Sequence, residues 1–554
     1  MSRWISLNRI YQGYEPFLNP AAAGLLNAEG TCMHVGSLRK RYGFTALGTT
    51  KGSAITALPV GVFTGGFSLN RAGADFIEVY NSGTTLWTDA KPASTTLANS
   101  RWAWTSIGAA NGTGTESALY ATPGYTFTDG ASTGGIIKQT ASTGGFALIN
   151  ASPGARALAG YAGRVFALGV YDETNQYYPT RIKATPVAAP DDWENFGAGA
   201  VEEDLFDDGY PILAARQIAS RLFIFRGDLT GGSIAICTAT DSTAFPLMFE
   251  FSYGITLLSA RTLVRISRDM YAFLGHDNFY LIDSTQIIPI GDAVVRKALA
   301  EMNPDNIINA LGYYIPGEND VVFCVPTGTN TGYTYTYNLR TQKWSGPDNV
   351  VRGGGAILCA NTYRRTGAAT VPTAGKLWSD SAFTNMQWGS NANTWQSYEE
   401  TGGLPGLGSG PALNVLGLSS GLVVYTDSNI TSDNGSAIAT TIETGVYDFA
   451  GEQFETGIAE AVDHKSVDGI YMRWWSNGAW SPTIYISRDG GASWENISFP
   501  SITGSENYYS EKYITFAAKV GREFRVKLTH SSATSRFAIA EIGLKVALAN
   551  KARV

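Results

Sequence analysis

The chain has 554 residues, 63 of them glycine, with 44% hydrophobic residues, only 16% charged residues and a formal net charge of −7. Soluble globular proteins usually carry about 25% charged residues and about 7% glycine, so this charge-poor, glycine-rich chain is not disordered, a coiled coil or a long helical bundle. The acidic balance also argues against a protein that grips nucleic acid, because lysine and arginine on phosphates supply most of that affinity.

From the start, MSRWISLNRIYQGYEPFL lacks the continuous apolar run of a secretion leader, and no apolar stretch reaches the length of a membrane-spanning helix. The next marked feature is GSLRKRYGFTALG, Gly36 to Gly48, with the basic triplet Arg39, Lys40 and Arg41. It reads either as an assembly contact or as an exposed turn ahead of the first repeat.

A recurring hairpin then dominates. Its copies are DFIEVYNSGTTLWTDA from Asp75, SALYATPGYTFTDG from Ser117, RVFALGVYDETNQYYPTRI from Arg164 and RLFIFRGDLTGGSIAIC from Arg221. MYAFLGHDNFYLID from Met270, VVFCVPTGTNTGYTYTYNLRTQKW from Val321 and a looser copy from Ala356 follow, and LVVYTDSNITSDNG from Leu422 is a further candidate. Starts through Ala356 lie 35 to 57 residues apart. A period of roughly 40 to 50 residues, holding about four short strands, is the blade pattern of a β-propeller. Apolar–polar alternation within copies favours strands over helices. An array of β-sandwiches is the competing reading, but it predicts no such spacing.

Helix is scarce. DAVVRKALAEMN, Asp292 to Asn303, has helical apolar spacing with an Asp at the cap position, and reads as an excursion between blades. Residues 391–420, which include GGLPGLGSGP, read as a long loop or insertion. Beyond Ile438 longer alternating runs such as GIYMRWWSNGAW, REFRVKLTH and FAIAEIGLKV suggest an antiparallel β-sandwich. The expected fold is therefore all-β: residues 1–50 lead in, 51–437 form a propeller of about six to eight blades, and 438–554 form the sandwich.

Sites for chemistry are few. Cys32, Cys237, Cys324 and Cys359 are too scattered for a metal or redox motif and read as buried, reduced thiols, and the four histidines are equally dispersed. No cofactor is expected. The stretch DDWENFGAGAVEEDLFDDG, Asp191 to Gly209, could supply paired carboxylates for glycoside hydrolysis, or a solvated loop between blades; the alternating spacing of a calcium loop is missing. Glu202, Glu203, Asp204, Asp207 and Asp208 are its candidates for a channel lining or subunit rim. SRDGGASW fits Ser-x-Asp-x-Gly-x-x-Trp through Ser487, Asp489, Gly491 and Trp494. That pattern resembles the Asp-box of sialidases and other propellers, a hairpin brace remote from catalysis. WWSNGAW, Trp474 to Trp480, is a possible sugar platform, with some of its tryptophans expected in the core. A nucleophile elbow, a phosphate-binding loop and a dinucleotide fingerprint do not occur.

The ordered series resembles a known family. GSLRKRYGF, with its Leu-Arg-x-x-x-Gly element, resembles the opening of the tail nozzle (tail-hub, packaged-DNA stabilisation) proteins of short-tailed bacteriophages. DDGYPILAARQIASRLFIFRGD and DMYAFLGHDNFYLIDSTQIIPIG are similar to that family's blades, and LVVYTDSNITSDNGSAIATTIETGVYDFAG with YISRDGGASW to its last blade and sandwich. The resemblance implies a non-enzymatic virion protein, assembled in the host cytoplasm as a homohexameric ring at the distal end of the tail. Its implied partners are the tail adaptor and portal complex, fibres or spikes, and double-stranded DNA that passes without specific binding. A net-acidic conduit suits that role, since like charge lowers friction on DNA. A glycan-binding or glycan-cleaving propeller protein of a phage tail, or a baseplate component of a long-tailed phage, is the alternative.

Overall fold

The computed structural model of the protein describes residues 3–7, 25–107, 117–364 and 412–549, apart from breaks of one to six residues. Asp207, Asp208 and positions 391–411 of the Gly/Ser/Pro segment lie outside the described residues. Within them the regular structure is almost entirely strand, with one α-helix, Val295–Glu301, and two short 3-10 turns.

Six four-stranded antiparallel meanders follow one another over residues 60–89, 103–149, 154–204, 212–253, 264–289 and 311–349. A seventh sheet takes Val351–Arg352, Gly355–Arg364, Ala412–Leu418 and Val423–Thr426, and its last strand pairs with Phe44–Ala46 from far upstream. Short strands joined by tight turns form such sheets readily. Three of the turns repeat one device, in which Asp172, Asp228 and Asp283 each accept hydrogen bonds from the backbone N–H and hydroxyl of the threonine two residues on.

Each sheet is apolar on both faces, and the apolar clusters run from one sheet to the next. Leu119 and Ile137 meet Val79 of the first sheet, while Tyr120 and Ile136 meet Val165 and Ala167 of the third. Ile182 packs with Ile224, Phe225 with Phe273, Phe279 with Phe323, and Tyr313 with Leu416. The seventh sheet then meets the first, through Tyr363, Val415 and Val423 against Leu69, Tyr80 and Trp87. Fully burying one such side chain contributes about 1.5–3 kcal/mol, so each of these interfaces is a substantial core. Leading strands of neighbouring sheets also touch. Val60–Phe63 meets Ala103–Ile107, which meets Gly154–Tyr161, which in turn meets Ile212–Ile218. Val264–Arg265 likewise meets Leu311–Ile315, which meets Gly355–Arg364, and that strand returns to Val60–Phe63.

Two larger antiparallel sheets follow, together with a two-stranded ribbon of Gln453–Phe454 and Gly457–Ile458. One has the order Leu25–Glu29, Ile438–Thr444, Arg525–Ser532, Thr483–Ser487, Glu495–Ile497. The other has Thr31–His34, Ser37–Lys40, Phe537–Leu548, Lys465–Ser476, Ser505–Gly521, with Arg3–Ser6 also beside Phe537–Leu548. They share one core, in which Ile470, Met472, Trp474, Ile542 and Leu544 face Ile442, Ile484, Val526 and Leu528. That core continues into Phe279, Phe323 and Trp344 of the fifth and sixth sheets.

Several sequence expectations change. The copy from Ser117 is not a hairpin, because Phe127–Thr128 leaves the sheet to pair with Thr133–Gly134, and Ala118–Thr122 pairs instead with Ala103–Ile107 and Ile136–Gln139. Part of the expected loop 391–420 is the strand Ala412–Leu418, whose apolar side chains pack in the seventh sheet. The acidic stretch is not wholly a loop either, since Val201–Asp204 is the fourth strand of the third sheet. The helix caps at Val294 without a side-chain bond; Asp292 instead accepts from Asn278 Nδ2 at 2.6 Å.

Candidate functional site

The densest polar cluster lies where the N-terminal strands, the sixth sheet and the two larger sheets meet. Ser37–Lys40 pairs with Phe537–Leu548, and Phe44–Ala46 joins the seventh sheet, so residues 41–43 must cross between them. The basic triplet is therefore not an exposed turn. Lys40 is 1% exposed, and its Nζ donates to the carbonyls of Thr431, Ser532 and Ser535 at 3.0, 2.6 and 2.8 Å. Burial, with Arg41 alongside, pushes its ammonium down to about 8. Arg41 forms a two-pronged pair with Asp433 at 2.9 and 2.6 Å, and its Nε reaches Asp348 at 2.5 Å. Burial works against that charge, but the two carboxylates outweigh it and hold the guanidinium above its ordinary value. Arg39 is half-buried and donates from Nε to Ser37 Oγ.

Around this crossing, Tyr42 donates to Glu318 and lies beneath the Arg536 guanidinium, 4.3 Å from its ring centroid. Asp320 is 2% exposed and accepts from Asn338 Nδ2 at 2.7 Å. Burial, aided by Glu318, raises its carboxyl well above the usual range. Cys32, Arg41, Glu318, Asp320 and Asp348 line a cavity of about 30 Å³, room for a single water. Burial pushes the Cys32 thiol up, which makes it inert. Chemically the cluster is an ionic cross-tie. It pairs no nucleophile with a base, and among the described residues no three His, Cys, Asp or Glu side chains converge for a metal.

The turn at Ser487 follows its sequence pattern. Asp489 accepts from Ser487 Oγ at 2.7 Å and from the Ser493 backbone N–H at 2.9 Å, and Gly491 N donates to Ser487 Oγ at 2.8 Å. Bonds from Ser493 and Ser487 hold the Asp489 carboxyl well below the usual range. Gly491 has φ of +102°, a conformation side chains resist. Trp494 is half-buried under Arg525 and Lys527, whose charged groups sit 5.4 and 5.3 Å from its ring centroid. All these groups brace one another. Trp474 and Trp480 are 2% and 0% exposed in the core, so the WWSNGAW segment offers no open tryptophan pair to a sugar.

Of the acidic candidates, Glu202 and Glu203 are exposed and Asp204 is half-buried. Arg181 holds Asp204 at 3.0 and 2.8 Å, and Glu202 pairs with Arg181 at 3.2 Å and Lys183 at 3.5 Å. They lie on the fourth strand, away from the leading strands where neighbouring sheets touch. Sequence reading missed Asp348, Asp433, Glu318 and Asp320, because only the fold brings them to Arg41 and Tyr42.

No family model and no curated protein matches the chain. A solved candidate 6-phosphogluconolactonase from Bacteroides fragilis NCTC 9343 is similar at 11% identity and a TM-score of 0.30, over 56% of this chain and 80% of that one. A likeness that slight carries no argument about activity.

Proposed function

We propose that the protein is a structural subunit of a phage tail. In this reading the seven small sheets are the blades of a closed β-propeller, fastened by Phe44–Ala46, and the two larger sheets are a β-sandwich that takes over at Ile438. Six copies form the distal nozzle ring, which retains packaged DNA and conducts it during ejection, without catalysis. The family resemblance of the ordered sequence series suggests the role. The observation that carries it in the structure is the cross-tie at Arg41, which joins Asp348 of the sixth sheet to Asp433 just ahead of the larger sheets. A ring that confines DNA under pressure needs subunits whose parts do not hinge, and this junction is tied by buried charge and shared core. Native mass spectrometry of the purified chain, with labelled electron microscopy of the particle, tests the reading. A hexamer at the distal tail tip is expected; a monomer at all concentrations, or a location elsewhere, overturns it.

A further inference from the structure

The outer face of the second larger sheet carries an aromatic platform. Ile470, Met472, Ile542 and Leu544 point into the core, so alternation turns Gly469, Tyr471, Arg473 and Gly543 outward. The register sets Tyr471 between Tyr513 on one side and Gly543 on the other, with Trp4 one row away, opposite Lys545. The two glycines leave room for rings to lie against the sheet. A Cβ at Gly543 would stand 2.2 Å from the Tyr471 ring, and one at Gly469 2.9 Å from the Trp4 ring. Tyr471 and Tyr513 stack at 5.2 Å with 15° between their planes, and Trp4 meets them edge-on at 5.8 and 5.2 Å. Tyr471 is thereby only 9% exposed, whereas Tyr513 is 56% exposed and Tyr509, farther along the strand, 42% exposed.

Polar groups beside these rings are unspent. Arg473 and Glu511 are exposed and directly opposite each other on neighbouring strands, yet among the described residues neither has an ion-pair or hydrogen-bond partner. Arg473 reaches only the Tyr509 ring, 6.0 Å from its centroid. Among the described residues Tyr509, Tyr513 and Val520 are the large apolar side chains this sheet exposes. That is too little for the apolar centre of a protein interface, which takes about 800 Å² from each partner and sheds charged residues. One tyrosine face rimmed by a free guanidinium and a free carboxylate instead matches a single sugar ring. The C–H face of the sugar packs on the aromatic ring, and its hydroxyls accept from arginine and donate to glutamate.

We propose that Tyr513, backed by Tyr471 and Trp4 and flanked by Arg473 and Glu511, binds a hexose unit of a neutral oligosaccharide. The rings already hold one another in place, so little freedom is lost on binding. The opposite charges of Arg473 and Glu511 balance, which favours a neutral sugar over a charged one. The site is separate from the buried Trp474 and Trp480, and independent of the tail reading, since it depends only on the outer face of one sheet.

Isothermal titration calorimetry of the full chain with maltohexaose, cellohexaose, chitohexaose and mannohexaose tests it. Saturable heat with at least one of them is expected, weakened about tenfold or more by Tyr513→Ala and by Arg473→Gln. Tyr513→Phe keeps the stack and should bind like the parent, as should Tyr333→Ala, which removes an exposed tyrosine of the sixth sheet. No saturable heat with any of these sugars overturns the proposal, and so does an unchanged isotherm in Tyr513→Ala or in Arg473→Gln, whose exposed side chain leaves the fold intact. A Tyr513→Ala chain that changes its assembled mass in native mass spectrometry, while the parent takes up no sugar, also overturns it and assigns the patch to a second copy of the chain.

Discussion

Arg41 shows how one side chain can hold distant parts of a chain together. Its guanidinium is 15% exposed, and its two carboxylate partners are 12% and 10% exposed. Removing one member of a buried pair leaves the others charged and unpaired, which costs about 3–5 kcal/mol. Arg41→Ala should therefore lower stability to denaturant by that amount, while Arg3→Ala, whose pair with Glu452 is exposed, should change it little. Asp320 makes the opposite case. Burial raises the folded pKa of its carboxyl above the ordinary value of about 3.9, so the folded chain binds more protons than the unfolded chain as pH rises past that value. The contribution of this group is full below about pH 4 and is lost as pH rises. Asp320→Asn keeps an acceptor for Asn338 and removes the titration. The variant should be more stable than the parent at pH 7, with the gap closing towards pH 4 in urea titrations.

At the scale of an element, the three-residue strand Phe44–Ala46 has influence beyond its length. It pairs with Val423–Thr426, and Phe44 is 3% exposed in the core between the sixth and seventh sheets. Phe44→Ala should cost about 3–5 kcal/mol by opening a cavity there. Gly43, just before it, passes so close to Ser432 that an added Cβ would lie 2.1 Å from its carbonyl oxygen. Gly43→Ala should therefore loosen the same strand, read as faster hydrogen exchange at Val423–Thr426. The Asp489 turn is a contrasting element, closed mainly by bonds among Ser487, Asp489, Gly491 and Ser493, with Arg525 Nη1 from the neighbouring strand donating to the Gly490 carbonyl at 3.2 Å, so damage there should reach no further than that strand.

Across the whole molecule, continuity of core decides behaviour. The fifth and sixth sheets and both larger sheets share one apolar cluster, and Lys40 and Arg41 bridge the same junction. Calorimetry should show a single unfolding transition for the whole chain; two resolved transitions would mean that the junction is weaker than its contacts imply. The net charge of −7 bears on DNA at this scale too. A conduit subunit should show no salt-sensitive affinity for duplex DNA in filter binding at low ionic strength, and a steep salt slope would count against the tail reading.

Local chemistry determined much of this protein. Period-two alternation, and turns such as Asp283-x-Thr285, make short antiparallel strands wherever they occur, and the Ser487–Trp494 pattern closes its own hairpin by bonds spanning a few residues. These features were legible because each depends on neighbours in sequence. The copy from Ser117 misled for the same reason: alternation marks a strand without saying which strand it will pair with. Which partners meet across hundreds of residues was decided by the tertiary structure alone. Arg39–Arg41 looked exposed because nothing nearby in sequence could neutralise it, whereas Asp348 and Asp433, 307 and 392 residues from Arg41, do so in the fold. Burial strengthens such electrostatic terms by removing water, and burial is a property of the packed molecule.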